Sequence, residues 1–161
     1  IAHAGIEVRP ICMDAFEAEL RKIYQVVTAS FGDNFLYSPI DEAEFMAQYA
    51  AARSFTRQEL VWIAERGGNA IGFVFAYPDL AQQQRSEPID TVIIKTLAVT
   101  PDVGGLGLGS LLTAEVQQAA LDLGYTQAIH ALMSSDNRSR RISAHYGRVM
   151  RGYALYGRHV A

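Results

Sequence analysis

Between Val99 and Leu111 the chain reads Val-Thr-Pro-Asp-Val-Gly-Gly-Leu-Gly-Leu-Gly-Ser-Leu, so Gly104, Gly105, Gly107 and Gly109 stand where a strand-like run gives way to a helix-like one. Glycine lets successive N–H groups turn into one concavity. The first turn of a following helix adds donors that lack intrahelical acceptors, together with the positive end of the helix dipole. Such a loop suits an anion, above all a phosphate or pyrophosphate. The loop of nucleoside-triphosphate enzymes is excluded, because neither Gly-Lys-Ser nor Gly-Lys-Thr occurs in the chain. A dinucleotide fingerprint starting at Gly105 would need Gly or Ala where Ser110 stands, and no acidic residue closes a second strand about 20 residues on. Glycines that serve only a tight turn and close helix packing are the plainer alternative, although four within Gly104–Gly109 exceed what one turn requires.

Other residues with chemical capacity lie downstream. His130 falls in the apolar run Ala128 to Met133, and Asn137, Ser143 and Tyr146 share a polar segment with Arg138, Arg140 and Arg141. An imidazole can act as a general base, though a lone His in an apolar strand is more often a hydrogen-bonded core residue. A phenol can donate a proton to a leaving group, or simply pack beneath a strand. Asn137 is placed to cap a short helix, and Arg-rich short helices are commonly solvated faces. Cys12 lies far from the glycine loop with no adjacent His or Asp to mark a nucleophile. No metal site is expected.

These residues must be positioned by a scaffold, and the pattern of apolar residues predicts one. Gly5 to Pro10 reads as a strand, and Asp14 as the cap of a helix carrying Phe16, Leu20, Ile23, Tyr24 and Val27. A turn-rich segment with Asp33, Phe35 and Tyr37 follows, either a substrate wall or a connector whose aromatics plug the core, and then a helix over about 41–51. Leu60 to Ala64 and Ala70 to Tyr77 flank Gly67-Gly68-Asn69 as a hairpin. Thr91 to Val99 is the most strand-like run, and Leu106 to Leu123 repeats apolar residues at helical spacing before Gly124. Ala128 to Met133 then forms a strand whose crossover from Thr91–Val99 should be parallel and right-handed. A short helix from Asp136-Asn137 to Tyr146 and a strand over Val149 to Val160 complete an α/β mixed sheet in a single domain, 1–161.

Composition sets the outer limits. The chain of 161 residues, 50% hydrophobic and 19% charged, is an ordinary globular composition able to bury roughly 70% of its unfolded surface. A net charge of -3 offers no general attraction to phosphate backbones or anionic lipid, so neither nucleic acid nor membrane is an expected partner. One cysteine and no long apolar run fit a reducing, cytoplasmic setting. Numbering opens at Ile1 without an initiator Met, so nothing about targeting rests on that end.

The segment Leu97-Ala98-Val99-x-Pro101-x-x-Gly104-Gly105-x-Gly107-x-Gly109-x-x-Leu112 resembles the acetyl-CoA motif of the GNAT acyltransferases. Asn137-x-Ser139-x-x-x-Ser143-x-x-x-Gly147 is similar to that family's next motif, and the order of helices and hairpin before them agrees. The resemblance implies a sheet whose parallel strand pair splays around the CoA arm. Leu97, Ala98 and Val99 would lie along pantetheine, with the backbone of Leu97 and Val99 pairing to it. Gly104, Gly105, Gly107, Leu108, Gly109 and Ser110 would form the pyrophosphate loop, its donors running from Gly105 through Ser110, and Asn137 would contact the CoA arm. It further implies acetyl transfer from acetyl-CoA, as cosubstrate, to a small-molecule or peptide amine, and it leaves room for a homodimer.

The sequence departs from the family in three places. Gly104 stands where Arg or Gln is usual, so a cation for the pyrophosphate would have to come from Arg138, Arg140 or Arg141. Ser143 stands where the family carries the Tyr that protonates the leaving thiolate, which makes Tyr146, one turn on, the expected acid. Lys95 and Thr96 stand where many members carry a carboxylate base, leaving His130, Glu87, Asp90 or ordered water for that role, with Lys95 an outward strand residue that favours an anionic substrate. The missing groups also admit a non-catalytic acyl-CoA-binding or sensing module.

Overall fold

The computed structural model describes residues 5–32, 34, 37–137 and 139–159. Five strands form one mixed sheet in the order β1 (Ile6–Pro10), β2 (Val61–Arg66), β3 (Asn69–Pro78), β4 (Thr91–Val99) and β5 (Gln127–His130). The first four pair antiparallel, and β4 and β5 pair parallel through the crossover predicted from sequence. The β2–β3 hairpin turns on Gly67 and Gly68, both at positive φ. No helix among the described residues is long and apolar enough to cross a membrane.

Each face of the sheet is covered because the central strands β2, β3 and β4 bury apolar residues on both sides. On one face α1 (Phe16–Phe31) and α2 (Glu42–Ala50) bury Phe16, Leu20, Ile23, Val26 and Phe45 against Ile63, Phe73 and Ala98. On the other, α4 (Leu108–Asp122) buries Leu108, Leu112 and Val116 against Val74, Val92 and Ile94. Each such side chain contributes about 1.5–3 kcal/mol. Asp41 caps α2 by accepting the Glu44 N–H at 2.8 Å. A 3-10 turn, Met13–Ala15, precedes α1, so Asp14 does not cap it as the sequence suggested. A short α3 (Leu80–Gln84), capped by Asp79, forms within the polar stretch before β4.

The remaining departures are at the C-terminal side. The last strand ends at His130, short of Met133, and α4 begins at Leu108, since Gly107 sits in the left-handed region at φ 75°. Helix α5 (Ser139–Tyr146) is present. Val149 to His159 forms no strand, contrary to the apolar pattern, and it is exposed throughout. Val160 lies outside the described residues. A strand is made by a ladder partner, and this segment is described as pairing with none of the five strands.

Candidate active site

The site is built around an irregularity in β4. Phe75 pairs with Thr96 but Ala76 pairs with Ile94, so Lys95 is an extra residue, a β-bulge, and lies exposed. Before the bulge, the Ile94 carbonyl turns toward β5, where it accepts the Ala131 N–H at 3.0 Å. After it, the Thr100 N–H donates to Ile71 of β3 at 2.9 Å. Strand alternation then turns the backbone of Ala98 toward β3 and that of Leu97 and Val99 toward the β5 side. Pairing with β5 has ended by that point, because the register stops at Ile94 opposite His130. A gap therefore opens beside Leu97 and Val99 with polar backbone groups to satisfy. Of the run 97–99, Ala98 is turned away and buries its side chain in the α1 face.

The glycine loop closes the end of this gap. Gly104 uses its N–H on the Pro101 carbonyl at 3.1 Å, and Leu111 donates to Gly107 at 3.0 Å. Among the described residues, the N–H groups of Gly105, Leu106, Gly107, Leu108, Gly109 and Ser110 meet no acceptor. Gly105 at φ 88° and Gly107 at φ 75° hold left-handed backbone, which ordinary side chains resist. A Cβ on Gly109 would lie 3.1 Å from Ile142, so that glycine also lets α5 approach the first turn of α4. Arg66 fixes the start of the loop through a 2.7 Å ion pair with Asp102. The arrangement is a concave row of donors at a helix start, suited to an anion.

The approach of α5 brings the three side chains singled out in the sequence together where β4 and β5 part. The His130 Nδ1 lies 2.8 Å from Ser143 Oγ, and its Nε2 lies 2.9 Å from Gln117 Nε2 on α4. An amide nitrogen can only donate, so in this arrangement Nε2 accepts, Nδ1 carries the proton and Ser143 accepts it. Ser143 in turn faces Met133 Sδ at 3.8 Å. Tyr146 is half-exposed, its ring 6.2 Å from the imidazole. Burial pushes the His130 pKa below its ordinary value, so the ring is neutral near pH 7. Gln117 is the member of this chain of contacts that the sequence did not single out.

Other sequence candidates lie elsewhere. Asp90 precedes β4 at the end remote from the glycine loop, and hydrogen bonds from Gln82 and Thr91 hold its carboxyl below the usual range. Glu87 is paired to Arg85 at 2.8 Å. Asn137 accepts the Ser139 N–H at 2.8 Å, a local cap. Arg140 donates to the Ser135 carbonyl, Arg141 is exposed, and Arg138 lies outside the described residues, as do Asp33 and Phe35. Cys12 is exposed and free. No cluster of metal-ligating residues occurs among the described residues. A cavity of about 370 Å³ opens on the opposite face of the sheet and is lined in part by Tyr37 and by Thr96 of β4.

The family model described as acetyltransferase (GNAT) family matches residues 20–145. A bacterial ceramide synthase of Caulobacter vibrioides is 26% identical over 77 residues, a stretch covering 48% of this chain and only 20% of that protein. Among solved structures, an aminoglycoside acetyltransferase from an uncultured soil metagenomic sample, in complex with trehalose, superposes with a TM-score of 0.67 at 14% identity, covering 98% of this chain and 97% of its own. An aminoglycoside N-acetyltransferase in complex with CoA gives 0.63 at 16% identity over 97% and 95% of the two chains. A GNAT family acetyltransferase from Brucella melitensis in complex with acetyl-CoA gives 0.58 at 22% identity over 86% and 82%. These likenesses establish a shared fold.

Proposed function

The chain belongs to the acetyltransferase (GNAT) family, and from that premise we propose that it transfers an acetyl group from acetyl-CoA to a primary amine by direct attack in a ternary complex. The observation that carries this reading is the row of unpaired N–H groups from Gly105 to Ser110 at the end of the gap beside Leu97 and Val99. The pyrophosphate would accept from that row, and the amides of the pantetheine arm would satisfy the backbone of Leu97 and Val99 as an added strand does. The Val99 N–H would then lie where it can stabilise negative charge developing on the thioester oxygen. Tyr146 would return a proton to the departing sulfur, with His130 and Ser143 ordering the surroundings. No acyl-enzyme is invoked, since Cys12 is exposed and without an activating neighbour.

The test is release of free CoA thiol when acetyl-CoA is mixed with the protein and a panel of primary amines. Transfer predicts thiol release that requires an amine and saturates with it. A chain that only binds acyl-CoA, the reading that the absent carboxylate at Lys95 and Thr96 favours, would release none above the uncatalysed background.

A further inference from the structure

The cavity on the α1–α2 face carries its own information. Apolar side chains dominate its wall, among them the rings of Phe31, Tyr49, Phe73 and Phe75, and no charged side chain lines it among the described residues. Thr96, also in the wall, pairs with Phe75 through its backbone but makes no side-chain hydrogen bond among the described residues, and the next residue along β4, Leu97, turns its backbone toward the gap. The cavity thus reaches within one residue of the strand that would present the thioester.

We propose that this cavity receives the acceptor, and that the acceptor is a primary amine on an apolar aryl or alkyl body rather than a polycation. The inference rests on the acetyl-transfer reading above. A volume of about 370 Å³ corresponds to about a dozen waters at ~30 Å³ each, and so to an acceptor of similar heavy-atom count. A polyamine would bring several ammonium groups into a wall whose described residues offer them no carboxylate, and their lost hydration would go unrepaid. A single amine escapes that penalty by binding neutral, because apolar surroundings disfavour the ammonium form. The same effect prepares the nucleophile without the carboxylate that Lys95 and Thr96 replace. The ammonium proton leaves to solvent on binding, and the nitrogen lone pair forms the C–N bond as the C–S bond breaks. The second proton lost from nitrogen balances the one gained by the CoA sulfur.

The experiment is calorimetric titration of 4-phenylbutylamine and of spermidine into the CoA-saturated protein, as wild type, Ala52→Phe and Gln48→Glu. Ala52 lines the cavity and the larger ring would fill it, while Gln48→Glu puts a carboxylate at an exposed lining position. Phenylbutylamine should bind at least about tenfold more tightly than spermidine, and Ala52→Phe should weaken it at least about tenfold with CoA affinity unchanged. Gln48→Glu should narrow the preference at least about threefold, and it decides the matter should Ala52→Phe fail to bind CoA. Spermidine binding as tightly as phenylbutylamine, or an undiminished preference in the filled or charged cavity, would overturn the proposal. Preferential phenylbutylamine binding without thiol release from acetyl-CoA would uphold the ligand class and sink the transfer reading instead.

Discussion

Ser143 and Tyr146 share a helix face but differ in what their hydroxyls are doing. Ser143 is engaged by the His130 imidazole at 2.8 Å, whereas the Tyr146 hydroxyl has no hydrogen-bond partner among the described residues. A phenol near pKa 10 is also a far stronger acid than an aliphatic hydroxyl. On the proposed acetyl-transfer reading, proton return to the CoA sulfur would fall to Tyr146, and Tyr146→Phe should lower kcat by about 100-fold with little change in the acetyl-CoA KM. Ser143→Ala should cost less than about tenfold. Steady-state kinetics on both variants, checked as folded by circular dichroism, would measure this, and near-full kcat in Tyr146→Phe would return that ring to a packing role. The sequence already marked His130 by residue type, Ser143 by the resemblance to the family's motif, and Tyr146 because helical periodicity sets it one turn from Ser143. Gln117 was out of reach, since its contact with His130 depends on how α4 lies across β5.

At the scale of elements, an ionic network ties β1, α1 and β2 together. Arg9 of β1 bonds Glu19 of α1 at 2.8 Å and Glu65 of β2 at 3.0 Å, and Lys22 of α1 reaches Glu65 at 2.7 Å. Burial alone would raise the pKa of both carboxyls, but the bonds and charges of Arg9 and Lys22 outweigh it and hold them below the ordinary glutamate value. A folded-state pKa below the unfolded one means stability that is present above about pH 4.3 and is lost as pH falls through the folded values. Glu19→Gln should destabilise the protein by about 2 kcal/mol at pH 7, less than for a fully buried pair because Arg9 keeps Glu65 and partial solvent access. Its stability should also fall less steeply on acidification. Urea unfolding at pH 7 and pH 3.5 measures both, and parallel acid losses in variant and wild type would remove Glu19 from the network's titration. Most elements were legible, with α3 and the expected last strand the exceptions: Thr91–Val99 was bounded to the residue, since a run rich in β-branched residues and Pro101 mark it. The bulge at Lys95 was not, because it is set by a register shift against β3. The apolar spacing of Val149, Met150, Tyr153 and Leu155 misled for the converse reason, a strand pattern with no described partner beside it.

At the scale of the molecule, β4 is a partition. Its bulge turns Leu97 and Val99 toward a gap and a glycine loop on one side, while Thr96 borders an apolar cavity on the other. The family follows from the sequence match, but which ligand each side takes is a claim about geometry, and the loop carries most of it. The donors from Gly105 to Ser110 can hold a pyrophosphate only if that group reaches the bare backbone, so a side chain at Gly107 should obstruct CoA and leave pantetheine, which has no pyrophosphate, untouched. The most direct test is calorimetric titration of CoA and of pantetheine into the wild type and Gly107→Val. The account predicts at least about a tenfold loss of CoA affinity, about 1.4 kcal/mol, with pantetheine affinity unchanged. Equal CoA affinity in the folded variant and the wild type, or equal losses for both ligands, would contradict it.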